Sequence, residues 1–132
     1  MGSSPNDWEA LPLNARPMRD LLLLLPRLEV TETLEVDYTA TDAALLLLIC
    51  DEAEATMETV LRGLSTIGML LANATPEIET GEIGANAIEA LGWFIGELGE
   101  FSAACHCLAA AGRRYVADYQ PDVMPNVEGV KL

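Results

Sequence analysis

Positive charge is scarce in this chain and scarcest in its middle. Seven Lys and Arg stand against 21 Asp and Glu over 132 residues, for a net charge of −14. Between Glu29 and Glu100 the only basic residue is Arg62, against fifteen acidic ones, so that segment holds the whole imbalance. A field of that sign repels nucleic acid and anionic membrane surfaces, and it raises encounter rates with basic protein surfaces. The expectation is no direct nucleic-acid binding, no membrane binding, and a protein partner with a basic surface. The same carboxylates also serve solubility in a chain that is 51% hydrophobic.

Histidine occurs once and cysteine three times, at positions 50, 105 and 107, with no CxxC pair. Helical neighbours two apart diverge by about 200°, so Cys105, His106 and Cys107 cannot share one ion. Three residues before His106 stands Ala103 rather than the glutamate of a di-metal bundle. The glycines between 81 and 99 lie on a helical pattern and lack the lysine of a phosphate loop. No cofactor, metal or catalytic group is expected, and the chain does not read as an enzyme. The odd cysteine count within apolar helical patterns fits buried free thiols.

Long apolar runs are missing too. Stretches such as Leu21 to Leu25 fall far short of the roughly 18 to 20 residues that cross a bilayer. The first 20 residues carry acidic residues and prolines rather than a basic start and an apolar stretch, which makes a cytoplasmic setting the expectation. The length suits one domain, expected over 16–119, with 1–15 as an arm ordered only where Trp8, Leu11 and Leu13 dock, and 120–132 as a tail.

What is present is helical periodicity. Pro17 opens a short leucine helix over Arg16 to Leu25 that Pro26 should stop. Its five leucines leave no polar face, so it is expected to pack across longer helices near Leu45, Leu47 and Leu48. Residues 28–38, LEVTETLEVDY, alternate apolar and polar like a half-buried strand. No other segment alternates comparably, so the stretch should be extended cover, or pair with its copy in a second chain.

From Thr41 and Asp42, which offer a cap, a helix is expected to about Ala72. Its seam is Leu46, Cys50, Ala53, Met57, Val60, Leu64, Ile67 and Leu71, spaced alternately 4 and 3. A short turn around Pro76 should reverse the chain into a second helix from about Glu82 to Asp118, with its own seam from Ile88 to Val116. Beside that seam runs a row of small residues, Ala85, Gly92, Gly96, Gly99, Ala103 and Ala110. Each helical glycine costs about 0.8 to 1 kcal/mol relative to alanine, which close helix packing would offset.

The expected architecture is therefore all-α: an antiparallel hairpin of two long helices with a short N-terminal helix and extended segment, doubled into a four-helix bundle as a homodimer. The small-residue row is the expected packing surface. Trp93, with Glu89, Glu97 and Glu100 on the same strip, is the expected partner-binding spot. The function this implies is a non-enzymatic interaction or regulatory module. The alternative is an acidic mimic of nucleic acid, of the kind mobile elements use, that inhibits a nuclease or another nucleic-acid-binding protein.

Overall fold

The computed structural model describes residues 7–119; the expected tail at 120–132 lies outside them. Four α-helices occur among the described residues: α1 (Pro17–Leu24), α2 (Ala43–Asn73), α3 (Thr75–Glu79) and α4 (Ala85–Tyr119). Short 3-10 turns cover Asp7–Ala10 and Leu25–Arg27. Pro26 thus tightens the helix into a 3-10 turn rather than ending it outright.

The two long helices pack antiparallel along the expected seams. Leu46, Cys50, Ala53 and Val60 of α2 are buried, as are Ser102, Cys105, Ala109 and Val116 of α4. At the open end of the hairpin the Cys50 thiol reaches the Ala109 carbonyl at 3.5 Å. Two hydroxyls inside the seam region, on Thr56 and Ser102, are buried and have no hydrogen-bond partner.

α2 begins where the Asp42 carboxylate accepts the Ala44 N–H at 3.1 Å, a side-chain cap. Thr41 does other work: its hydroxyl donates to the Asp37 carbonyl and accepts the Glu29 N–H, tying the preceding loop down. Gly81, with φ of +84°, makes the turn between α3 and α4 in a conformation that glycine adopts freely.

α1 packs on the N-terminal half of α2, and Leu21 and Leu24 share one core with Leu45, Ile49, Cys105 and Ala109. Leu22 is exposed, so the leucine run does have a solvent side, contrary to its sequence pattern. Trp8, Leu11 and Leu13 pack against the same core. The Asp20 carboxylate holds this arrangement together: it is buried and accepts the Asn14 and Arg16 N–H groups and a guanidinium N–H of Arg19.

Residues 28–38 find a partner within themselves. Val30 and Val36 form an isolated antiparallel bridge around a turn, and the Thr31 hydroxyl accepts the Thr33 and Glu35 N–H groups. No strand forms among the described residues. The near repeat of LEVTET and LEVDYT places the two valines six apart, which suits a turn of this size. Leu34 falls at the tip with φ of 69° and is 82% exposed, so the strand alternation misplaces it. Tyr38 then stacks on Tyr115 of α4, ring centroids 5.8 Å apart, and fastens the loop to the helix end.

Candidate interaction surface

Burial stops halfway along the hairpin. Val60 is the last buried residue of α2 and Ser102 the first of α4, and nothing between them is buried. In that distal half the seam residues Leu64, Ile67, Leu71, Ile88, Leu91, Ile95 and Leu98 are half-buried. Two helices laid side by side shield only the line between them, and here nothing takes the place that α1 holds in the proximal half.

The consequence is a set of exposed large apolar side chains along the distal half of the hairpin. Leu61, Met69 and Leu70 of α2 and Trp93, Phe94 and Phe101 of α4 are all exposed, Leu70 at 63% and Trp93 at 71%. An apolar groove of about 340 Å³ lies at the hairpin tip, lined by Ile67, Leu70, Leu71, Ile83, Ala87 and Ile88 among others. Large exposed apolar patches on a folded chain mark interaction surfaces.

Helix geometry separates two faces of the distal half. On α2, Leu45 and Ile49, which share one core with α1, begin a row that at helical spacing runs on through Glu52, Thr56, Gly63, Ile67 and Leu70. On α4 the matching row runs back from Cys105 through Phe101 and Phe94 to Ala87. This first face is the uncovered continuation of the α1 groove. The opposite face carries Leu61 and Gly68 of α2 and the small-residue row of α4.

Ala85, Gly92, Gly96, Gly99, Ala103 and Ala110 are all exposed. A methyl group added at Gly92, Gly96 or Gly99 would meet nothing within 4 Å. Within one chain, then, this row does not serve close packing against α2. The glycine that does is Gly112, where an added methyl would collide with Cys50 Sγ and lie 3.3 Å from Leu46 Cδ1. Gly112 sits on the α4 seam, one of the positions the periodicity marks as core.

Trp93 is flanked at helical spacing by the exposed Glu89, Glu97 and Glu100, so the expected strip is continuous and faces outward. Arg113 has a role that its place near the end of α4 did not suggest. It crosses to α2 and binds the Asp51 and Glu54 carboxylates at 2.6 and 2.8 Å. That guanidinium holds the Glu54 carboxyl below its ordinary range. Phe94 and Phe101 went unnoticed as a surface; their separation of seven places them on one face, a signal that was readable.

Reactive groups do not converge. Burial pushes the Cys50 and Cys105 thiols up from their ordinary value, which keeps them protonated and inert. Cys107 is exposed rather than buried as the pattern implied, because it points about 200° away from Cys105. Among the described residues no three His, Cys, Asp or Glu side chains gather as metal ligands, and no helix is long and apolar enough to cross a membrane. A second cavity, of about 510 Å³, lies at the start of α2 between Trp8, Arg27 and Asp42, where the Trp8 indole donates to Asp42 and Arg27 to Asp7.

Glu52 is the carboxylate most at odds with its surroundings. Burial, then the neighbouring Asp20 and Asp51 charges, push its pKa above the ordinary 4.5. The folded state therefore penalises the ionised form, and the penalty is present above the folded pKa and gone below the unfolded one. Glu52→Gln is expected to raise the melting temperature at pH 7, with the gain over the parent shrinking as the pH falls through the raised folded pKa and gone below the ordinary 4.5. Melting curves at neutral and at acidic pH, either side of that range, check it; an equal gain at both would remove the charge from the explanation.

Comparison with known protein families, curated proteins and solved structures finds no match to this chain.

Proposed function

We propose that this chain is a helical protein–protein interaction module, without catalysis of its own, that acts as a homodimer in the cytoplasm and presents an acidic surface to a basic protein partner. The observation that carries this reading is the uncovered distal half: a hairpin with no buried residue from Leu61 to Phe101 and six large apolar side chains open to solvent. Hiding that surface from water is favourable at roughly 25 cal/mol per Å². Doubling the hairpin would complete a four-helix core and leave the carboxylates outside.

Light scattering at micromolar concentration is expected to give twice the 14.2 kDa chain mass. A mass of one chain, unchanged on tenfold concentration, would overturn the homodimer.

A second reading rests on the outward strip of Glu89, Glu97 and Glu100 around Trp93. As a mimic of nucleic acid, the chain would occupy the basic groove of a nucleic-acid-binding protein. Its binding would then weaken steeply with salt and compete with DNA or RNA. Reversing Glu97 and Glu100 to lysine separates the two readings, since a mimic loses its partner while a module that binds through other surface keeps it.

A further inference from the structure

Resting on the homodimer reading, we infer that the second copy docks on the aromatic face that continues the α1 groove, and not on the small-residue row. The two hairpins then lie antiparallel, overlapping only in their distal halves, with each α1 just beyond the tip of the other hairpin.

Three observations lead to that arrangement. The first is continuity. α1 covers the proximal half of one face of the α2–α4 pair, burying Leu45 and Ile49 of α2 and Cys105 of α4. The same rows run on without cover through Ile67 and Leu70 and through Phe101 and Phe94. A helix pair from a second chain would take the layer that α1 occupies.

The second is area. The small-residue face has Leu61 as its large apolar group, and its glycines have little side-chain surface to hide. The aromatic face carries Leu70, Phe94, Phe101 and the tip groove. From Leu61 to Asn73 and from Ala85 to Phe101 the helices run about 20 to 25 Å at 1.5 Å per residue. Two helices about 10 Å wide therefore offer about 400 to 500 Å² in flat projection. Side-chain relief brings the accessible area toward the roughly 800 Å² per partner of a standard interface.

The third is exclusion. α1 fills the interlayer space at the open end, so two hairpins pointing the same way would bring both copies of α1 into one slot. Reversing one hairpin removes that collision. The two-fold axis must then cross the middle of the overlap, where a patch meets its own copy. Cys50 sits level with Ala109 and Ile67 with Leu91, so the axis passes near Ile67 on α2 and Phe94 on α4.

Site-specific crosslinking tests this in the full chain. With the exposed Cys107 replaced by serine, Thr66→Cys places a thiol beside the proposed axis, and Ser65→Cys places one about 100° round the helix, toward the small-residue face; both side chains are exposed. A short bis-maleimide is expected to link Thr66→Cys chains into dimers and leave Ser65→Cys chains single. Phe94→Glu is expected to shift the scattering mass from two chains to one at micromolar concentration while its circular dichroism stays helical. A chain that is dimeric by scattering but links through Ser65→Cys, or equally through both, overturns this face and leaves the homodimer standing. A parent chain that scatters as a single protomer overturns both.

Discussion

Asp20→Ala is expected to cost about 2 to 3 kcal/mol of folding stability, the range for losing hydrogen bonds to a charged group with a buried remainder. The carboxylate is 1% exposed and is the point around which the N-terminal arm turns. It accepts the Asn14 N–H with both oxygens at 3.3 Å, the Arg16 N–H at 3.2 Å and the Arg19 guanidinium at 3.0 Å. Between the two backbone donors Ala15 is held at φ of 64°, a conformation that costs an alanine roughly 1 to 2 kcal/mol. Without the carboxylate nothing compensates that strain, and the arm should release Trp8, Leu11 and Leu13 from the core. Asp20→Asn is expected to do little better, since its amide nitrogen meets N–H donors with N–H. Ala15→Gly should move stability the other way, by up to about 1 kcal/mol. Urea titrations of the three variants check the set, and an Asp20→Ala midpoint equal to that of the parent would remove the carboxylate from its proposed place.

The reason Asp20 was not legible in the sequence is that its partners are backbone groups. A carboxylate one turn into a helix reads as a dipole contact, and only the path of the arm shows that it is enclosed. Arg113 is similar: its partners Asp51 and Glu54 lie about 60 residues earlier and on another helix, a distance that no local pattern spans. The seams themselves were readable, since Leu46 through Leu71 and Ile88 through Val116 follow a spacing that packed helices impose. Residues 28–38 show where periodicity misleads. The alternation is real, but a turn at Thr31 to Leu34 folds the segment on itself, and alternation carries no information about reversal of the chain.

The excess of apolar surface was legible in the sequence, and the side of the hairpin that α1 covers was not. A helix apolar over most of its circumference announces more surface than one hairpin can shelter. It does not say which side is already covered. The row of small residues stands out because glycine is unusual in a helix, whereas a phenylalanine in a helix, such as Phe94 or Phe101, is ordinary. Only the position of α1 shows that their face continues a groove left half empty.

Two glycine substitutions on the same helix should therefore have opposite signs. Gly112→Ala is expected to destabilise by about 1 to 3 kcal/mol, because its methyl would overlap Cys50 Sγ and press on Leu46, both fully buried, in a seam with no slack. The helix preference of alanine, about 1 kcal/mol, works against that loss without cancelling it. Gly96→Ala meets open space and sits mid-helix, so the full preference should appear as a gain of about 0.5 to 1 kcal/mol. Cys50→Ala should relieve Gly112→Ala in part, since the colliding atom is the thiol sulfur. Thermal or urea unfolding at a fixed chain concentration gives each difference. The Gly96 result also bears on assembly: if a second copy lay against the small-residue row, a methyl there would intrude on it, and Gly96→Ala would lower the dimer's stability instead of raising it. A gain at Gly96, with a scattering mass of two chains, would support the aromatic face as the proposed surface between hairpins.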